Sequence, residues 1–388
     1  MFALSRFPRT QKLSFAACTF ALLLAAGSVN ADEGITASSI KLGQSAPLSG
    51  ALAQLGSDYR DGAILYFKHV NAQGGVHGRK IELVTLDDAY IVERTIENTR
   101  KLLQDEKVFS LFNMFGTGNT RAALPLATQA RTPIFSAYSG AEGLRASENK
   151  FIFHTRASYA EETEQLILQG LTFGLKTVVI AYQDNDFGKA ALKSAEESAV
   201  RNQVVIVGRI AVDVNSRDIE AAVDKVAALR PQSVLVLTAG KSGIDFMSAY
   251  RHKNPTTWLM ALSVVSSKEL VKVMGENSRG IIISQVVPTP WTPQGRAVKD
   301  YQKLMESSGK NKDDYSYAAL EGFISARVFV EALKRVGPKL SREKLMATLE
   351  SSGPFDVGDF SVSYGGGKRA GTKFVDATMI GGGGKFIR

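Results

Sequence analysis

The stretch Ile40–Asp88, IKLGQSAPLSGALAQLGSDYRDGAILYFKHVNAQGGVHGRKIELVTLDD, is decisive for the fold. Its first seven residues, IKLGQSA, read as a strand that ends at Ala46-Pro47. From Gly56 to Asn71 the apolar residues Ala63, Ile64, Phe67 and Val70 recur at helical spacing. The turn Asn71–Gly75 then ends the helix, and IELVTL (81–86) reads as a second strand. Strand, helix, strand with short links is the unit of a parallel sheet covered by helices.

The alternation continues. Val92–Leu103 reads as a helix, VFSLFNMF (108–115) as a strand, Asn119–Gln129 as a helix and TPIFSAY (132–138) as a strand. A second set follows, with helices at Tyr159–Leu171, Phe187–Val200, Ser216–Leu229 and Lys241–His252. Its strands are TVVIAY (177–182), VVIVGRIAV (204–212), SVLVLTAG (233–240) and TTWLMAL (256–262). Two consecutive α/β sets predict two lobes. FIFHTRAS (151–158) runs from one set into the next without a Pro-, Gly- or Ser-rich tether, which predicts a hinge of extended strands. GIIISQVVPTP (280–290) reads as a second crossing, a buried strand stopped by Pro288 and Pro290. Tyr317–Val336 reads as an apolar-rich helix closed by Gly337-Pro338 and packed on the first lobe. The tail DFSVSY, Gly365–Gly367, KFVDATMI reads as a hairpin. The expected division is residues 1–31 as a leader, 32–155 plus about 287–352 as the N-terminal lobe, and 156–286 plus about 353–388 as the C-terminal lobe.

The leader is read from Arg6, Arg9 and Lys12, the apolar run Leu13–Ala26, and small residues at Val29 and Ala31 before a cleavage site. Its apolar run is too short for a membrane span, and no later stretch approaches the roughly 18 apolar residues a span needs. Export to the periplasm is therefore expected, with a mature form not embedded in the membrane. Cys18 is the sole cysteine; too little apolar sequence precedes it for lipid anchoring. The mature chain is thus expected to lack disulfides and thiol chemistry. Of the net charge of +9, the leader supplies three cations, leaving +6 scattered without a block of five, so no nucleic-acid partner is expected.

Enzymatic signatures are missing. Gly116-Thr117-Gly118 begins like a dinucleotide fingerprint, but Arg121 stands where the third glycine belongs. Gly381–Gly384 lacks P-loop spacing and reads as a flexible turn. There is no G-x-S-x-G elbow, and His69, His77, His154 and His252 lack metal-ligand spacing and read as surface or hinge residues. Asp87-Asp88 reads as capping and turn chemistry. No enzyme, cofactor or metal is expected.

What remains lies where open α/β sheets bind ligands, in loops at the carboxyl ends of strands. These are Ala46–Gly50, Phe115–Asn119 and Ala137–Ala141 in the first set, and Asp184–Gly188 and Thr238–Ser242 in the second. Small residues opening a helix at Gly116-Thr117-Gly118 present backbone N–H groups suited to an anion, although Thr117 and Asn119 acting as helix caps would explain the same residues.

The chain resembles the periplasmic leucine/isoleucine/valine-binding proteins, type I solute-binding proteins of ABC importers. The likeness rests on the P-L-S-G loop, Gly56, Gly62, N-A-Q-G-G, Gly78-Arg79-Lys80 and Asp87-Asp88 of the opening stretch. AYQDNDFGKA (181–190) and YAALEGFISARVFVEAL (317–333) extend it. It implies a two-lobed type I periplasmic binding protein with a three-crossover hinge, a small-molecule ligand in the cleft, and ABC permease subunits as partners of a monomer. The implied ligand-binding set is Phe115, Gly116, Thr117, Tyr138, Ser139, Gly140, Tyr159, Phe187, Ala239, Gly240 and Ser263. Gly116, Thr117 and Tyr138–Gly140 would hold a carboxylate, and Phe187 would close over the ligand. The chain departs from amino-acid binders after TTWLMAL: Leu262, Ser263 and Val264 stand where a carboxylate pairs the ligand ammonium, leaving only Asp184, Asp186 or Asp245 as substitutes. An exported sensor subunit would use the same cleft, and an exported hydrolase would need His154 beside a cleft serine.

Overall fold

The computed structural model describes residues 1–3, 33–293, 295–358, 361–366 and 368–387. The chain divides into two units, Met1–Ala31 and Asp32–Arg388, and everything below concerns the second. The leader reading falls almost wholly on residues 4–32, outside those described.

The first sheet is all parallel and contains β1 (Ser39–Ala46), β2 (Lys80–Asp87), β3 (Ser110–Phe112), β4 (Ile134–Phe135) and β5 (Ile152–Phe153), in the order β2-β1-β3-β4-β5. The crossing helices are α1 (Ala53–Ala72), α2 (Val92–Gln104) and α3 (Thr117–Gln129). β3 and β4 are shorter than the expected 108–115 and 132–138. Asn113 (φ 54°) and Ser136 (φ 60°) turn into the left-handed region and break the ladders just past them. The pairing resumes only as a bridge between Phe115 and Tyr138.

The second sheet carries α4 (Tyr159–Thr172), β6 (Thr177–Gln183), α5 (Asp186–Arg201), β7 (Val205–Val212) and α6 (Ile219–Ala228). It continues through β8 (Ser233–Leu237), α7 (Gly240–Lys253), β9 (Trp258–Ala261), α8 (Ser267–Met274) and β10 (Ile282–Gln285). The chain then returns to the first sheet as α9 (Arg296–Ser307), α10 (Tyr317–Val336) and α11 (Arg342–Ser351). α10 has the expected bounds; Ser316 caps it and Gly337 ends it at φ 84°.

The tail differs from the expected hairpin. β11 (Phe355–Asp356) pairs with β12 (Ser361–Val362), whereas β13 (Asp376–Ile380) pairs antiparallel with β10 and with β14 (Phe386–Ile387). Burial explains the split: Phe355, Val357, Val362 and Tyr364 pack in the core of the first sheet, and Ile380 packs in that of the second. The second sheet's order is therefore β14-β13-β10-β9-β8-β6-β7. Phe355, Val357, Val362 and Tyr364 accompany the first sheet rather than the second, and the chain crosses again after Tyr364.

That crossing runs beside the first one. His154 N–H donates to the Arg369 carbonyl at 2.8 Å, and Gly371 N–H donates to the His154 carbonyl at 2.8 Å. The fold is a two-lobed α/β arrangement with parallel sheets flanked by helices. In each sheet the strand order reverses at one place, between β1 and β3 and between β6 and β8. The crevice past the carboxyl ends of strands at such a reversal is where open sheets receive ligands. A third buried cluster joins residues after β1, β3 and β4 to residues after β6, β8 and β9, and so lies between the sheets.

Candidate functional site

The two reversals face each other across a ring-lined cavity. Its walls are Tyr90, Phe115, Gly116, Thr117, Tyr138, Tyr159, Phe187, Ala239 and Val264, enclosing only about 10 Å³. That is on the order of one water, so the walls nearly touch. Phe115 stacks on Tyr138 at 4.7 Å between centroids, Tyr90 meets Phe115 edge-on at 6.2 Å, and Phe187 meets Tyr159 edge-on at 5.3 Å.

Of the eleven residues expected from the sequence, Phe115, Gly116, Thr117, Tyr138, Tyr159, Phe187 and Ala239 line this cavity. The other four lie just outside it. The Ser139 hydroxyl meets the Thr117 hydroxyl at 2.8 Å, and Gly140 supports the Tyr159 ring so closely that a Cβ would sit 2.5 Å from it. Gly240 packs on Leu52, where a Cβ would come within 2.3 Å, and thus joins the two sheets at the cavity's edge. Ser263 is turned into an ionic cluster below. The loop Ala46–Gly50 does not reach the cavity; Asp87 ties it down by accepting from Leu48 N–H at 2.8 Å and from the Ser49 hydroxyl at 2.6 Å.

The polar end of the cavity is built on the first turn of α3. Gly116, at φ 88°, precedes the helix, and no side chain caps it. Thr117 and Asn119 are therefore not caps: the Asn119 amide donates to Thr95 Oγ1 at 2.7 Å, and the Thr117 hydroxyl is shared between Ser139 and the Tyr159 hydroxyl. Three hydroxyls thus converge at a helix N-terminus, whose free N–H groups and dipole favour an anion. Behind them Arg145 donates to the carbonyls of Ser139 (3.1 Å), Arg156 (3.0 Å) and Ala157 (3.1 Å), clamping the loop to the first crossing. Burial draws its guanidinium down to about 10, so it stays charged at neutral pH.

Arg156, Glu162 and Glu321 form a buried cluster under Tyr138. The Arg156 guanidinium lies 4.6 Å from the Tyr138 ring centroid, 3.3 Å from Glu162 and 3.7 Å from Glu321, and it donates to the Ser263 hydroxyl. Glu162 also accepts from Ser263 N–H at 3.0 Å and from the Ser284 hydroxyl at 2.7 Å. Burial disfavours the Arg156 charge, but Glu321 and Glu162 outweigh it and hold the proton more tightly than usual. Burial also raises Glu321 to about 7, against the pull of Arg156 and helped by the charge of Glu162. Glu162 sits on α4 and Glu321 on α10, so the cluster straddles the first crossing.

Sequence reasoning missed Tyr90, Val264 and this cluster. Glu162 and Glu321 each interrupt an apolar helix face, which is the signal that would have found them. Tyr90 carries a backbone signature instead: Ala89 and Tyr90 hold φ 49° and 65°, strain of the kind that gathers at functional sites.

Asp184, Asp186 and Asp245 are not in the cavity. Asp184 pairs with Lys189 at 3.0 Å, Asp186 with Arg121 at 2.8 Å, and Asp245 with Lys241 at 2.5 Å. His154 is buried and turns Nε2 toward the Leu144 carbonyl at 3.3 Å rather than toward a cleft serine. His77 and His252 are exposed. Among the described residues no group of three or more His, Cys, Asp or Glu is placed to hold a metal ion, and no helix is long and apolar enough to cross a membrane.

The profile of the periplasmic binding protein family matches residues 39–379, nearly all of the body just described. The chain belongs to that family. Among solved structures, this periplasmic binding protein is similar to a substrate-binding periplasmic protein from Ralstonia solanacearum, at 29% identity and TM-score 0.84, covering 90% of this chain and 99% of the other. An extracellular ligand-binding receptor from Verminephrobacter eiseniae is similar at 28% identity and TM-score 0.84, covering 90% and 100%. A curated relative, Leu/Ile/Val-binding protein homolog 7 of Brucella abortus, is 31% identical over 189 residues, 45% of this chain and 46% of the relative. The match thus spans about half the length of the curated relatives.

Proposed function

We propose that this periplasmic binding protein is the exported solute-binding component of an ABC importer. Its cleft takes a small carboxylate with a flat or branched apolar body, without reacting with it, and hands it to membrane permease subunits. The observation that carries the reading is the meeting of the Thr117, Ser139 and Tyr159 hydroxyls at the N-terminus of α3, at one end of a cavity otherwise walled by rings. An acid fits both halves: its anion takes the N–H groups and hydroxyls, and its body takes Phe115, Tyr138 and Phe187.

The ligand set is read as Phe115, Gly116, Thr117, Tyr138, Tyr159, Phe187 and Ala239 directly, with Ser139, Gly140, Gly240 and Ser263 supporting them. Tyr90 and Val264 join the direct set. The first lobe is read as 33–153 and 293–364, and the second as 159–285 and 376–387, moving about the three crossings between them. A solute of several heavy atoms exceeds about 10 Å³, so it enters when the lobes part and is enclosed when they close.

The name of the Brucella relative favours a second reading, an aliphatic α-amino acid. Against it stands the lining, which carries no carboxylate, so a buried ammonium would lack its counter-charge. Titration calorimetry with benzoate, 4-methylpentanoate, leucine and benzamide separates the two. The acids binding at least tenfold more tightly than leucine and benzamide supports the proposal, and leucine or benzamide binding best overturns it.

A further inference from the structure

Arg156 lies on the first crossing, fully buried, and lines no part of the cavity. It nevertheless reaches a wall of the cavity on each side. Toward the first sheet its guanidinium lies 4.6 Å from the centroid of the Tyr138 ring, on which Phe115 also stacks at 4.7 Å. Two flat groups thus hold that ring. Toward the second sheet it donates to the Ser263 hydroxyl, while Ser263 N–H donates to Glu162 at 3.0 Å. Ser263 directly precedes Val264, which lines the cavity and whose carbonyl accepts from Gly240 N–H at 3.2 Å. A carboxylate from each side completes the cluster, Glu162 on α4 at 3.3 Å and Glu321 on α10 at 3.7 Å. A planar guanidinium can face a ring and still donate in its own plane to several acceptors, which an ammonium cannot do. Contacts of this kind, shielded from water, are met at one mutual placement of the two walls and lost together when that placement changes.

We infer that Arg156 is a positioning residue for ligand capture: it locks Tyr138 of the first lobe and the Ser263-Val264 loop of the second into the closed arrangement. It thereby sets how long a solute is held without touching it. The inference rests on the reading above, in which the lobes part and close around a solute, and adds what holds them closed. A residue acting in this way changes the balance between open and closed forms before any ligand is present, and changes release more than capture.

Deleting a buried arginine outright would strand two carboxylates, so the test uses two milder variants of the mature protein. Arg156→Lys keeps the charge and loses the planar fork. Ser263→Ala keeps the ionic cluster and loses only the hydroxyl on the second-lobe side. Spin labels on Lys101→Cys in α2 and Lys193→Cys in α5, both exposed, report the distance between the lobes; the chain after Ala31 has no cysteine of its own. Thermal melts report folding. The expected result is a shift of the ligand-free distances toward longer values in both folded variants. Benzoate should also leave them about tenfold faster or more, with association changed less than about twofold. Distances that match the parent in the folded variants, or unchanged release of benzoate, overturn the inference. If Arg156→Lys does not fold, Ser263→Ala decides alone. Failure of benzoate to bind the parent overturns the carboxylate reading and leaves the distances to decide this inference. A parent distance that stays single and unchanged on binding overturns lobe closure, and the inference with it.

Discussion

Arg121 Nη1 lies 2.8 Å from Asp186 Oδ2, tying α3 of the first sheet to α5 of the second. Both side chains are about half exposed, at 53% and 48%, so water screens the pair. Such pairs contribute about 0.2–1 kcal/mol. Arg121→Ala is therefore expected to weaken ligand affinity two- to fivefold at low salt, by easing reopening rather than by touching the ligand. At 1 M NaCl, where the screening length falls to about 3 Å, wild type and variant should converge. Stopped-flow dissociation at both salt concentrations checks this; an effect that persists in high salt would mean that Arg121 has another role.

Most of the candidate cavity's lining was legible because its positions follow from topology. A strand order that reverses puts the loops after β3, β4, β6 and β8 at one crevice, and those loops carry Gly116, Tyr138, Phe187 and Ala239. What was illegible depends on contacts between distant segments. Glu321 meets Arg156 across a separation of 165 residues, and no local pattern pairs them. Gln183 lies just past TVVIAY in the sequence, and only its bond to the Ala239 N–H shows which way its amide faces. The tail misled for a related reason. DFSVSY and KFVDATMI look like two arms of one turn, but their apolar residues are claimed by different cores.

The crossing of α1 and α10 has no room for a methyl group. A Cβ on Gly62 would sit 1.8 Å from the Ala319 carbonyl oxygen, and one on Gly322 would sit 1.9 Å from that of Tyr59. Backbone, not a flexible side chain, stands in the way, so the helices must separate. Gly62→Ala and Gly322→Ala should each cost about 1–3 kcal/mol or more, despite alanine's better helix propensity. Urea denaturation is the readout, and a stabilised Gly62→Ala would refute the close approach.

Glu321 gives stability a pH dependence of known sign. Burial lifts its folded-state value to about 7, above the ordinary 4.5 that it regains on unfolding. Between those values the folded chain holds a proton that the unfolded chain has released. The contribution is therefore fully present below about 4.5 and is lost as pH rises through about 7. Glu321→Gln removes the titration, so its stability relative to wild type should rise by roughly 2–3 kcal/mol between pH 4.5 and pH 8. Denaturation curves across that range decide it. Parallel pH profiles would show that Arg156 keeps Glu321 ionised throughout.

The Thr117 hydroxyl offers the sharpest test of the anion site. It bonds the Ser139 hydroxyl at 2.8 Å and the Tyr159 hydroxyl, and it leaves the helix end uncapped. Thr117→Val keeps the branched shape and removes only the oxygen. Stability should fall by about 0.5–1.5 kcal/mol, the net worth of an ordinary hydrogen bond, because Ser139 still meets the Ala141 N–H at 3.3 Å. Affinity for an acid should fall further, by tenfold or more, since a hydrogen bond to a charged group contributes about 1.5–3 kcal/mol. Tyr159→Phe should weaken acid binding in the same direction, as its hydroxyl belongs to the same cluster. Calorimetry with benzoate, read beside thermal melts, separates the two effects. A Thr117→Val protein that melts early yet binds benzoate as wild type does would confine these hydroxyls to holding the loop after β4 against α3.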